Sequence, residues 1–264
     1  MMSGIVVALT IFSLSINFSQ SGIKVYDAGR ERIAVKFHGE DIPEPLILRD
    51  QKLVLFYPAT YRVAVYAPGN RKVLDVKLLN GHFELESYSA FDANDSLIAV
   101  AYRHGDKTRL KILQFNGKTR ERIFKKLYPA GLWIRGGKII LRLYEVKNGH
   151  VTRDFVKILD DETDVSIRGI IAVDYVNGKP VFATRKEIIM GSRKIPVSKS
   201  ILDLRVKNGK IYVLLDCGDG VTSVAILQDK RISEIKKVSG AFRRFFEVKD
   251  RLVLFTPKGE SYEF

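Results

Sequence analysis

The side chains able to do chemistry are few: four histidines, one cysteine and two short acidic runs in 264 residues. His38, His82, His104 and His150 each stand beside a glycine, and none has a second histidine or a cysteine at the spacing of a zinc site. They read as surface turn residues, so no metal site is expected. Cys217 lies in Leu215-Asp216-Cys217-Gly218-Asp219-Gly220, a hairpin tip. A nucleophilic thiol needs a base and cationic surroundings, whereas the neighbours here are acidic. The same stretch and Asp160-Asp161-Glu162-Thr163-Asp164 offer oxygens to a hard cation, but neither meets the calcium-loop spacing with its terminal Glu. There is no Gly-rich phosphate loop, nucleophile elbow or zinc-protease motif. A non-enzymatic protein without a cofactor is expected.

Cations carry the larger signal. Forty-four Lys and Arg against thirty Asp and Glu leave a net charge of +14, which draws polyanions or an acidic protein surface. Lys118-Thr119-Arg120-Glu121-Arg122-Ile123-Phe124-Lys125-Lys126 reads as a strand with Arg120, Arg122 and Lys126 on one face and Lys125 on the other. Arg185-Lys186, Arg193-Lys194, Lys230-Arg231 and Lys236-Lys237 fall in later hairpins, and Arg243-Arg244 is flanked by Phe242, Phe245 and Phe246. Phosphates need clustered cations, and single-stranded nucleic acid adds aromatic stacking platforms, for which Tyr128, Tyr144, Tyr175 and Tyr212 are the candidates. The expected partner is therefore nucleic acid or an acidic protein surface. The alternative is a protein-interaction module whose charge serves only solubility and heat stability.

Such residues need a frame, and composition bounds it. Hydrophobic residues make up 46% of the chain and mean hydropathy is near zero, which suits one packed domain spanning 1–264. A single cysteine forms no internal disulfide, which favours a reducing, cytoplasmic setting. A 28% charged fraction with four Gln and one Cys matches proteins of hot habitats, such as thermophilic archaea. The apolar segment Gly4 to Phe18 has no Lys or Arg before it and is short for a membrane span, so it is expected to be a first strand.

An apolar strand recurs about every forty residues, with copies beginning near Ile5, Leu53, Leu97, Ile139, Val181, Ile211 and Leu252. Each later copy follows a turn written in Asn, Asp and Gly, as in Ala93-Asn94-Asp95-Ser96, Arg135-Gly136-Gly137-Lys138, Val176-Asn177-Gly178-Lys179 and Lys207-Asn208-Gly209-Lys210. A partner strand precedes the turn, near Pro45–Arg49, Tyr88–Asp92, Leu132–Arg135, Ile170–Tyr175, Ile201–Val206 and Phe242–Val248. No stretch sustains helical periodicity. Strand repeats of this length predict an all-β propeller of four-stranded antiparallel blades. Seven starts favour seven blades; six follow if the partial first and last blades merge, and a pair of β-sandwiches is the alternative architecture. Six inner strands against seven second strands leave a closure problem. The N-terminal segment and a C-terminal strand around Glu260–Phe264 are expected to close the ring, with the first blade borrowing from the C-terminus.

Ser21-Gly22-Ile23-Lys24-Val25-Tyr26-Asp27 resembles the third-strand signature of WD-repeat propellers, with Tyr26 where that family has Trp, and Val65-Tyr66 and Gln114-Phe115 are weaker echoes. The resemblance runs along most of the chain as a rhythm. The family's Gly-His dipeptide is missing, no Trp-Asp pair occurs, and the single tryptophan, Trp133, falls in an inner strand. What the resemblance implies is a rigid platform that binds proteins, peptides or nucleic acids on a face or rim, usually without catalysis. A hydrolase with its site at the central channel is the remaining reading.

Overall fold

From Leu53 onward, the recurring apolar runs are the buried second strands of successive sheets. The computed structural model describes residues 14–37, 41–78, 89–229, 231–240, 244–255 and 261–264, and all regular structure among them is β. Blade 1 holds β1 (Leu14–Ser19), β2 (Gly22–Asp27) and β3 (Arg30–Lys36). Blade 2 holds β4 (Glu44–Ile47), β5 (Leu53–Tyr57), β6 (Arg62–Ala67) and β7 (Arg71–Lys77). Blade 3 follows with β8 (Ser89–Ala93), β9 (Leu97–His104), β10 (Lys107–Gln114) and β11 (Thr119–Lys125). Next, blade 4 is β12 (Leu127–Arg135), β13 (Lys138–Lys147), β14 (His150–Ile158) and β15 (Thr163–Val165). Blade 5 is β16 (Ala172–Val176), β17 (Lys179–Ala183), β18 (Glu187–Met190) and β19 (Arg193–Pro196). In blade 6 run β20 (Ser200–Lys207), β21 (Lys210–Asp216), β22 (Val221–Gln228) and β23 (Arg231–Ser239). Blade 7 ends the chain with β24 (Phe246–Val248), β25 (Arg251–Phe255) and β26 (Ser261–Glu263). Every sheet is antiparallel with strands in chain order.

Turn chemistry sets this register. Asn177-Gly178 and Asn208-Gly209 take positive φ at both positions, 48° and 73° in the first and 50° and 73° in the second. That two-residue conformation matches the strand twist and is open to Asn and Gly at little cost. It pairs Val176 with Lys179 and Lys207 with Lys210.

Period-two alternation alone would bury one face of each strand, yet β5 is buried at all five positions. Both of its faces are covered because each blade is packed between neighbours. Clusters of buried side chains fill the seams: Val54, Phe56 and Val63 of blade 2 meet Phe91, Ile98 and Tyr102 of blade 3. Similar clusters join blades 3 and 4, 4 and 5, 5 and 6, and 6 and 7. The last seam closes the circle. Leu14, Ile23 and Val25 of blade 1 share one cluster with Leu53 and Leu55 of blade 2 and with Val248 and Val253 of blade 7. The result is a seven-bladed ring; neither six blades nor two sandwiches fit it.

N- and C-terminal strands do meet at the closure, but as neighbouring sheets. β26 pairs with β25 inside blade 7, so among the described residues blade 1 borrows no C-terminal strand. The expected first copy at Ile5, like Glu260, lies outside the described residues; the described chain enters the fold at Leu14. Across the closure, Lys249 donates its backbone N–H to the Arg49 carbonyl at 3.1 Å and its ammonium to Asp27 at 3.0 Å, and Arg49 pairs with Asp250. In blade 4 a β-bulge between Pro129 and Gly131 makes room for the tryptophan: a Cβ on Gly131 would stand 2.6 Å from the Trp133 ring. No helix among the described residues is long and apolar enough to cross a membrane.

Candidate functional site

Three inner strands carry an aspartate between apolar neighbours: Phe91-Asp92-Ala93, Val173-Asp174-Tyr175 and Leu202-Asp203-Leu204. Each is buried, and an unpaired buried carboxylate is costly. The ring resolves this by aiming each one across a blade boundary. Asp92 accepts the Ile134 N–H at 2.9 Å, Asp174 the Val206 N–H at 2.8 Å and Asp203 the Phe245 N–H at 2.7 Å. Asp174 and Asp203 use their second oxygen on the following N–H, of Tyr175 and Leu204, both at 2.8 Å. These carboxylates are clamps between blades.

Three guanidinium groups share the axis with them. Arg135 bonds Asp92 at 2.6 Å and the Ile134 carbonyl at 2.7 Å. Arg205 reaches the Phe245 carbonyl at 3.4 Å, and its Nε stands 3.8 Å from Asp203. Arg244 makes no hydrogen bond among the described residues, but its charge reaches Asp92 and Glu44. Burial alone would push the Asp92 carboxyl up; Arg135, then Arg244 and Arg205, with the Ile134 N–H, hold it below the usual carboxylate range. Arg205 is the converse case. Burial and then the nearby Arg135 disfavour its charge more than the aspartates favour it. The Nε atoms of Arg135 and Arg205 are buried without an acceptor.

Asp92, Asp174 and the three arginines line a cavity of about 450 Å³ along the axis, within the size range of small-molecule sites. Asn94, Ser96, Gly136 and Gly137, from the turns after the inner strands, also line it. Its lining sets Arg49, Arg135, Arg205 and Arg244 beside Asp92, Asp95, Asp174 and Glu247. The carboxylates of Asp92 and Asp174 are already engaged by backbone N–H groups.

The cations expected from sequence are spread over the outside. Arg120, Arg122 and Lys125 lie on the exposed β11, with Lys126 in the turn after it. Arg185 and Lys186 are exposed between β17 and β18, Arg193 and Lys194 begin β19, and Arg231 begins β23. Arg244 alone of the set faces the axis, while Lys230 and Arg243 lie outside the described residues, as do His38 and His82. Two are already paired: Arg122 with Glu162 at 2.5 Å and Lys194 with Glu187 at 3.6 Å. The acidic run at 160–164 supplies such partners, Asp161 to Lys138 and Asp164 to Lys157. No cluster of metal ligands occurs among the described residues. Cys217 accepts from the Lys199 ammonium at 3.5 Å and lies 3.3 Å from the Ser223 hydroxyl.

The proposed stacking tyrosines are half-buried, and three have a cation over the ring: Arg103 over Tyr128 at 4.1 Å, Arg142 over Tyr144 at 4.9 Å and Lys138 over Tyr175 at 5.7 Å. What sequence reasoning missed is the rest of the axial set, Arg244 apart. Its signal was a lone Asp flanked by apolar residues in an inner strand, repeated in three blades.

No family profile and no curated protein matches the chain. Solved structures do. A virginiamycin B lyase from Staphylococcus aureus is 12% identical over 96% of this chain and 94% of its own, with a TM-score of 0.63. The WD40 repeats of RRP9 are 10% identical over 92% and 87%, with a TM-score of 0.57. The propeller domain of the Trilobed protease from Pyrococcus furiosus, described as having an open velcro topology, is 14% identical over 96% and 95%, at 0.50. Identities this low speak to fold alone, and WD40 and other propellers are the structural neighbours of this seven-bladed β-propeller.

Proposed function

We propose that this propeller is a non-catalytic binding scaffold that captures an acidic, extended segment of a partner protein along its outer strands. The observation that carries the reading is β11. It is the outermost strand of blade 3, with no strand paired to its outer edge among the described residues, and it presents Ile123 at 49% exposure among Arg120, Arg122, Lys125 and Lys126. The pattern recurs on β7, with Val73 beside Arg71 and Lys72, and on β23, with Ile235 beside Lys236 and Lys237.

A cationic edge repels another copy of itself, which protects the protein from edge-to-edge association. The same charges attract an acidic strand, whose backbone completes the ladder while apolar side chains cover the exposed Ile or Val. Cations already seated on the tyrosine rings favour this over base stacking on nucleic acid.

The test is fluorescence anisotropy of the full chain with a peptide of alternating Glu and Val, and with a single-stranded oligonucleotide. The peptide is expected to bind, and Arg120→Glu with Arg122→Glu to weaken it about tenfold or more. Tighter binding of the oligonucleotide, with a steep salt slope lost in the same variant, would replace this reading by nucleic-acid binding.

A further inference from the structure

We infer that the axial cavity is a binding site for a small oxyanion, a carboxylate or a phosphate group, held by Arg205 and Arg244 with the Nε of Arg135. The inference does not rest on the reading of the outer strands. It begins from unspent donors. A guanidinium has five N–H groups, and a buried one is ordinarily satisfied. Arg135 is 9% exposed and places two bonds on Asp92 and the Ile134 carbonyl, while its Nε has no acceptor. Arg205 has one long bond, 3.4 Å to Phe245, and a buried Nε that stands 3.8 Å from Asp203, beyond hydrogen-bond reach. Arg244 makes no hydrogen bond among the described residues, and all three line the one cavity.

The aspartates do not consume these donors. Asp174 and Asp203 each take two backbone N–H groups, and Asp92 takes one along with Arg135. Asp95 and Glu247 also line the cavity, but neither hydrogen-bonds any of these three arginines, so their free donors are open to a ligand. An oxyanion suits them, because planar guanidinium forks match carboxylate and phosphate oxygens. Its negative charge would also offset the mutual repulsion of Arg205 and Arg135. A cavity of about 450 Å³, lined also by Asn94 and Ser96, admits a small molecule bearing such a group.

The experiment is calorimetric titration of the full chain with inorganic phosphate and, separately, with succinate, in chloride buffer. Arg244→Gln is the main variant, since that half-buried side chain clamps no blade. Arg193→Gln with Arg231→Gln removes two exterior cations as the control. Saturable binding of at least one anion is expected, weakened roughly tenfold to a hundredfold by Arg244→Gln and unchanged in the control. Phosphate binding alone or succinate binding alone supports the site and identifies its chemical class. The inference falls if neither anion binds saturably, if folded Arg244→Gln binds as the parent does, or if the control loses affinity equally. Should Arg244→Gln fail to fold, Arg205→Lys is read instead. It keeps the charge but loses the planar fork, and unchanged affinity there overturns the site.

Discussion

Asp203 Oδ2 accepts the backbone N–H of Phe245 at 2.7 Å, which ties blade 6 to blade 7 across 42 residues of chain. Asp174 repeats the bond to Val206, from blade 5 to blade 6, at 2.8 Å. An inner strand thus has the N–H on its unpaired inner edge satisfied by a carboxylate from the blade before it, and the seam gains a directional bond beyond its apolar packing.

Replacing that carboxylate should loosen one seam. Asp203→Ala is expected to cost about 1–3 kcal/mol, because it strands the buried Phe245 N–H. Asp203→Asn, which keeps one acceptor oxygen, should cost less. Hydrogen exchange at Phe245 is the specific readout: protection should fall there in the Ala variant and hold in blade 3. Uniform loss of protection would mean that the bond does not act locally.

The Asp92–Arg135 pair predicts an asymmetry. Asp92→Asn leaves the Arg135 charge buried with a weaker partner and should destabilise by about 3–5 kcal/mol in urea unfolding. Changing both residues, to Leu and Met, should recover most of that loss, because the desolvation cost of the pair disappears with it. Recovery smaller than the error of the measurement would show that the Ile134 N–H, not the ion pair, accounts for the cost.

Acid stability should report on blade 2. Arg62 bonds both oxygens of Asp75 at 2.6 Å and Lys72 adds a third contact at 2.8 Å. The Arg62 bond first, against a smaller effect of burial, holds the Asp75 carboxyl down to about 2. A carboxyl depressed in the folded state stabilises the fold fully above its unfolded value near 4 and loses that contribution as pH falls towards about 2. With Asp75 31% exposed, solvent screening limits the effect to roughly 1–2 kcal/mol. Urea midpoints at pH 5 and pH 2.5 should drop further for the parent than for Asp75→Asn; parallel drops would remove Asp75 from the account.

The tryptophan offers an optical test of the bulge. Gly131→Ala places a methyl group 2.6 Å from the buried Trp133 ring, which must rotate or shift. A cost of about 1–3 kcal/mol is expected, with a changed emission spectrum from the single tryptophan. An unchanged spectrum with unchanged stability would show that the bulge relaxes freely.

The local parts of this molecule were legible in its sequence. The strand starting at Leu53, the turn Asn177-Gly178 and the inner strand ending at Arg135 are written in neighbouring residues, and the structure has each of them. Long-range pairings were not. The clamp from Asp92 reaches a residue 42 positions away and the Arg122–Glu162 bond spans 40, so no local pattern distinguishes them from solvated charges. Arg244 was visible as a cation beside phenylalanines, but its place on the axis depends on how the ring closes. Closure itself was misjudged in one respect: β26 belongs to blade 7, because its register with β25 satisfies it there.

The charges lining the axis are balanced, Arg49, Arg135, Arg205 and Arg244 against Asp92, Asp95, Asp174 and Glu247, so the +14 excess is carried elsewhere on the molecule. Ionic strength then acts as a selector between two addresses. Raising salt shortens the Debye length to about 3 Å at 1 M and silences the exterior, while pairs within the channel are screened far less. A buffer alone, without any substitution, can separate what binds this ring from outside and what enters it.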